Sequence, residues 1–215
     1  MKKLKSTFTN MVISLTGITV ISVALLAWIN QETQEPIAKA KADKLTLAID
    51  EVLGTHDNDP TKKPDTVKVE SSTYVIYPAT LKGESAGAAV ESADPKGFGG
   101  ELKVLVGFDK EGVILNYTLL AHKETPGLGS KAEQWFKKGQ KGDIIGKKPG
   151  EKPLQVTKDG GEVDAITGST ITSRAFLRAV NRAYQVYEAQ KEKKSTPTDG
   201  NSGASSQAWK GAAHE

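Results

Sequence analysis

Five hydroxyl side chains, Thr167, Ser169, Thr170, Thr172 and Ser173, fall within seven residues, with Gly168 among them and Asp164 just ahead. A helical pattern follows at once. Phe176, Leu177, Val180, Ala183, Tyr184 and Tyr187 share one face, with Arg174, Arg178, Asn181, Arg182 and Gln185 elsewhere. The hydroxyls therefore stand at the start of a predicted helix, where unpaired backbone N–H groups and the positive end of the helix dipole favour an anion. Gly168 lets the backbone come close. The chemistry that fits is the holding of a phosphate. The competing reading is plain capping, since Ser and Thr are common N-caps and Gly is common in the turn before them.

About forty residues upstream stands His122-Lys123-Glu124-Thr125-Pro126-Gly127-Leu128-Gly129. Thr125-Pro126-Gly127 fits a tight turn, with Pro fixing φ at one corner and Gly taking a positive φ at the next, so that Leu128 is presented on a rigid apolar platform. Taken together, Asp164 to Ser173 and His122 to Gly129 resemble the two signatures of the FMN-binding domain family. That domain occurs in the G subunit of the Rnf electron-transport complex and in the C subunit of the sodium-translocating NADH:quinone reductase. Ser169 occupies a position more often Ala, and the resemblance covers roughly Tyr74 to Tyr187.

The resemblance implies FMN carried covalently, through a phosphoester, on Thr170. It implies cofactor contacts from Thr167, Gly168, Ser169 and Thr172 around the phosphate, and it places the flavin ring near Glu124, Thr125, Gly127 and Leu128. Glu124 either meets the flavin or orients its own turn by accepting backbone N–H bonds, and His122 reads as a structural residue at a strand end. A Thr hydroxyl is a poor nucleophile at neutral pH and Thr170 has no His or Lys beside it in sequence, so an external enzyme must attach the cofactor. In the family this is a flavin transferase, and the positions matching its recognition motif are Asp164, Gly168 and Thr170. Thr170 is then a modified carrier residue, with no catalytic residue on the chain. The implied function is electron transfer within an ion-translocating oxidoreductase of the Rnf type, alongside its other subunits. The alternatives are the C subunit of the quinone reductase, a lone extracytoplasmic flavin reductase, or a non-redox membrane-anchored binding or assembly module.

The elements that must position these residues begin at the N-terminus. Lys2, Lys3 and Lys5 precede an uncharged run from Met11 to Ile29, which as a helix is about 28 Å long, close to the apolar thickness of a bilayer. Gln31, Glu32, Gln34 and Glu35 follow the run, with Trp28 at its outer end. The positive-inside rule then leaves the N-terminus in the cytoplasm and the rest outside, giving a single-pass protein of the cytoplasmic (inner) membrane with a periplasmic or extracytoplasmic domain. Cleavage near Ala38 to Ala42 is the rival, but these sites lie far beyond the apolar run.

The expected organisation is a cytoplasmic N-terminus and anchor over 1–30, a linker helix and loop over 31–65, an FMN-binding domain over 66–190 and a disordered tail over 191–215. The linker helix runs from Pro36 to Leu53 and Gly54 closes it. Strands are expected at Val67 to Val69, Tyr74 to Tyr77, Ala86 to Val90, Leu102 to Phe108 and Val113 to Leu120, with short connections that favour antiparallel pairing. Lys96 to Gly100 is a glycine-rich turn, either part of the site or a flexible loop. Within Ser130 to Gly142, Ala132, Trp135 and Phe136 stand among Lys, Glu and Gln, so a short amphipathic helix with Ser130 as its N-cap is expected. The fold class is α+β. The chain has no Cys and three scattered His, and its formal net charge is +3. Disulfides, iron–sulfur clusters and Cys-ligated zinc are excluded, a His-based metal site is not expected, and nothing points to nucleic acid.

Overall fold

Five strands run in sequence order across one antiparallel sheet, each paired with its predecessor: β1 (Asp65–Val69), β2 (Ser72–Leu81), β3 (Glu84–Gly97), β4 (Gly100–Asp109) and β5 (Ile114–Ala121). This computed structural model describes residues 7–69, 72–150 and 152–195. Three α-helices complete the described residues: α1 (Phe8–Leu53), α2 (Ala132–Trp135) and α3 (Thr170–Ser195). The meander follows from its turns. Between β2 and β3, Lys82 (φ 55°) and Gly83 (φ 81°) both take left-handed backbone, the pattern of the two-residue turn whose twist matches paired strands. Between β4 and β5, the Asp109 carboxylate accepts the N–H groups of Glu111 and Val113 at 2.9 and 2.8 Å.

β3 runs well past the expected Val90. Its polar second half is kept in the sheet by partners: Glu91 pairs with Lys103 on β4, and the buried Asp94 receives a bidentate Arg178 from α3 at 2.8 Å for each bond. The sheet has helices on both faces. On one, Val90, Val104, Val106, Phe108 and Tyr117 pack against Phe176, Val180, Ala183 and Tyr187 of α3. Phe176 stacks on Phe136 with ring centroids 4.3 Å apart and meets Tyr117 edge-on at 4.8 Å. On the other, Ala48, Ile49, Val52 and Leu53 from the end of α1 cover Tyr77, Ala79, Ala89 and Leu105. Gly107 permits that approach, because a Cβ there would overlap the Val52 carbonyl oxygen.

The expected anchor and linker helix form one uninterrupted 46-residue helix. Pro36 lies inside it, where proline forfeits the bond to the carbonyl four residues earlier while its neighbours remain sound helix formers. The short helix expected after Ser130 forms as α2, four residues ending at Trp135; beyond it Gly139 takes a φ of 78° and Gly142 leaves no room for a side chain against Trp135. α3 starts at Thr170, three residues before Ser173, and continues to Ser195, into the region expected as tail. The rest of that tail, and Lys2, Lys3 and Lys5, lie outside the described residues. The fold is α+β, with a long apolar N-terminal helix, a five-stranded antiparallel sheet and flanking helices.

Candidate functional site

The hydroxyl-rich turn folds as a self-bonded knot at the start of α3. The Ser173 hydroxyl accepts the Ile166 N–H at 2.9 Å and donates to the Ser169 carbonyl at 3.0 Å. Gly168 takes a φ of 79°, and Ser169 N–H bonds back to Ile166 O at 2.9 Å. Ser173 N–H reaches Ser169 O at 3.0 Å as the first bond of the helix, so the N–H groups of Thr170, Ile171 and Thr172 have no partner one turn back. Ser173 thus does the tying inside the core, while Thr170 stands half-buried at the helix tip.

In front of that tip lies a cleft of about 350 Å³ lined by Phe98, Glu124, Thr125, Leu128, Gly129, Lys158 and the run from Gly168 to Thr172. Four separate stretches of the chain meet here. From the β3–β4 turn comes Phe98, 68 % exposed, and from the 124–129 loop comes Leu128, 44 % exposed; Ile171 of α3, at 51 %, completes an apolar rim. The 124–129 loop is a closed turn: Leu128 and Ser130 N–H groups bond to Thr125 O, and Gly127, at a φ of 76°, donates to Ser130 Oγ at 2.9 Å. Ser130 therefore serves this turn, with no side-chain bond to the short helix after it.

Glu124 is the buried polar centre of the cleft wall. One carboxylate oxygen accepts the Gly99 N–H at 3.2 Å and the other accepts the Thr172 hydroxyl at 2.7 Å. It orients its surroundings as an acceptor. His122 sits behind it, with Nδ1 accepting the Glu124 N–H at 3.3 Å and Nε2 facing Glu133 Oε1 at 3.1 Å.

Lys158 approaches Thr170, its Nζ 3.5 Å from Oγ1. The neighbouring Asp159 holds this turn to α3 by a bidentate pair with Arg174 at 2.7 and 2.6 Å. The Arg174 bonds hold the Asp159 carboxyl below the usual carboxylate range. Asp94 anchors the opposite wall, bonding Lys96 N–H at 2.8 Å as well as Arg178. Burial pushes its carboxyl up, but Arg178 and that N–H outweigh the burial and hold it below the ordinary value.

Among the expected site residues, Glu124, Thr125, Leu128, Gly168, Ser169, Thr170 and Thr172 line one cleft. Thr167, Gly127 and Asp164 stand outside its lining: Asp164 is exposed, and its carbonyl accepts the Trp135 indole N–H at 2.8 Å. Phe98 comes from the glycine turn left open above as site or loop, while sequence reasoning singled out neither Ile171 nor Lys158. Phe98 carried a usable signal, a large aromatic inside a glycine turn with nothing local to pack on. Lys158 carried none, because it is one exposed lysine among many.

The cleft fits FMN. Its volume falls within the range of about 300–1,000 Å³ usual for small-molecule sites, and it joins an apolar rim to a helix N-terminus with a lysine, as a flat ring bearing a phosphate requires. Residues 97–185 match the model of the FMN-binding domain family, and that is the class of protein this fold and cleft define. Over most of its length the chain is also similar to proteins named as the G subunit of the ion-translocating oxidoreductase complex. Identity is 33% with that of Aliivibrio fischeri, covering 91% of this chain and 94% of the relative. It is 34% with that of Shewanella oneidensis (76% and 81%) and 32% with that of Pseudomonas aeruginosa (83% and 88%). The chain belongs to this family, the G subunits of ion-translocating oxidoreductase complexes.

Proposed function

We propose that this protein is the electron-relaying G subunit of a membrane-bound ion-translocating oxidoreductase of the Rnf type, and that it carries FMN on Thr170 through a phosphoester. The observation that carries the reading is Thr170 itself: a half-buried hydroxyl at the tip of a long helix, beside Lys158, opening onto a cleft whose far side is apolar. Bound FMN supplies one- and two-electron chemistry. The protein's part is retention and placement. The N-terminus of α3 and Lys158 favour a phosphate anion at Thr170, with Ser169 and Thr172 beside it and Thr167 and Gly168 shaping the turn. Phe98, Leu128 and Ile171 offer apolar surface to the ring, and Thr125 offers a hydroxyl at the cleft edge.

A Thr hydroxyl is a poor nucleophile without an adjacent general base, so attachment still calls for an external flavin transferase. The exposed Asp164, with Gly168 and Thr170, is the surface such an enzyme would read. α1 is long and apolar enough to cross a membrane. With Lys2, Lys3 and Lys5 ahead of the span, the N-terminus is cytoplasmic and the domain over 66–190 is extracytoplasmic. The names of the relatives favour the Rnf-type complex over the sodium-translocating quinone reductase.

The test is in-gel flavin fluorescence of the full chain after SDS denaturation, coexpressed with a flavin transferase. Fluorescence that survives denaturation in the natural sequence and disappears in Thr170→Ala supports the covalent carrier. A colourless natural-sequence protein rejects it and leaves a non-redox binding or assembly module.

A further inference from the structure

Glu124 sits where two walls of the cleft would otherwise have no common partner. Gly99 N–H belongs to the β3–β4 turn that carries Phe98, and the Thr172 hydroxyl belongs to the first turn of α3, two residues past Thr170. Both donors converge on one carboxylate that is only 6% exposed. The space for it is specific. A Cβ at Gly97 would come within 2.5 Å of one Glu124 oxygen, and a Cβ at Gly129 within 2.5 Å of the other. Gly99 must also lack a side chain, since its own Cβ would overlap the Lys123 carbonyl. Three glycines from two loops are therefore fitted around one acid and its chain neighbour.

Burial of a carboxylate is costly unless its oxygens are satisfied. Here each oxygen has one donor, and the two donors come from opposite walls, so separating the walls leaves an acceptor unpaired. Asp94 with Arg178 fixes the base of the β3–β4 turn to α3 farther down, whereas Glu124 fixes its tip.

We propose that Glu124 is the positioning residue of the cleft: it holds the Phe98 wall to the Thr170 helix tip and places a negative charge beside the bound flavin, biasing it against reduction. This rests on the FMN reading above. The charge argument is direct. Adding an electron to a flavin makes it more negative unless a proton follows, and a carboxylate at the cleft wall opposes that change. Glu124→Gln keeps the volume and can keep both bonds, its oxygen accepting the Gly99 N–H and its amide donating to the Thr172 hydroxyl, so it removes the charge alone, whereas Glu124→Ala removes both bonds.

The experiment has two arms in the full chain. The first uses Thr170→Ala as the background and needs no flavin: amide hydrogen exchange across residues 97–100, compared for Glu124, Glu124→Ala, Thr172→Val and Thr172→Ser. Glu124→Ala and Thr172→Val should each speed exchange there about tenfold, the double variant should add little beyond either, and Thr172→Ser should restore protection. Exchange at 97–100 that is unchanged in Glu124→Ala, or additive effects of the two variants, overturns the positioning role. The second arm takes flavin-loaded protein, isolated by its SDS-stable fluorescence, through a dithionite titration. Glu124→Gln should move the midpoint to a more positive potential, and an unmoved or more negative midpoint overturns the electrostatic role. If the natural sequence never acquires flavin, the FMN reading fails while the exchange arm still decides whether Glu124 holds the walls.

Discussion

α1 and α3 are the two long helices among the described residues, and they use apolar residues in opposite ways. Along the first part of α1, Ile13, Leu15, Ile21 and Leu26 are between 64 and 70% exposed on all sides of the helix. Along α3, Phe176, Val180, Ala183 and Val186 are fully buried on one face against the sheet. The contrast shows that an apolar run without periodicity asks for a nonpolar solvent, while an apolar stripe asks for a partner surface. α1 makes the switch within itself, because only its last turns carry a stripe, and that stripe covers the second face of the sheet.

The comparison breaks most strongly at the partner surface. Phe176→Ala removes a ring packed between Phe136 and Tyr117 and should cost about 3–5 kcal/mol, read as the shift in a denaturant midpoint. A charge in the span acts on the other solvent: Ile21→Arg should disfavour insertion by about 2.5–3.5 kcal/mol, seen as loss from the membrane fraction with the folded domain intact. The junction of the two regimes is Gly107. Gly107→Val drives side-chain atoms into the Val52 carbonyl and should cost about 1–3 kcal/mol, with new proteolytic cutting between Leu45 and Gly54 as α1 lifts off.

A pH series sharpens the comparison at the α3 face. The folded Asp94 carboxyl lies below its unfolded value, so its stabilisation is present above about pH 4 and is lost as pH falls through the folded value. Asp94→Asn should flatten the acid limb of the stability curve while leaving α1 unaffected. The smallest effect belongs to Leu47, 69 % exposed on α1, where Leu47→Ala should stay within about 0.5 kcal/mol by thermal unfolding of the domain.

Much of the site was legible in sequence because its chemistry is local. The turn from Thr167 to Ser173 builds its own knot from adjacent hydroxyls, and Thr125-Pro126-Gly127 closes its own turn. The strands were found where hydrophobic runs were strong, yet β3 was cut short because its second half is polar and stays in the sheet only through Lys103 and Arg178. The short helix expected after Ser130 forms over Ala132–Trp135, but Ser130 does not cap it: its hydroxyl accepts the Gly127 N–H of the preceding turn instead.

By itself the sequence determined the membrane-length apolar helix, the antiparallel α+β domain, the hydroxyl turn at a helix start and the rigid 124–129 turn, since each depends on residues within a few positions of one another. Only the tertiary structure decided that α1 runs unbroken from its apolar span into the sheet, that Phe98, Ile171 and Lys158 share a cleft with Thr170, and that Glu124 joins two of its walls. Those relations join side chains far apart in the chain, 48 positions in the case of Thr172 and Glu124, and local propensity carries no record of which distant partner a buried charge will find.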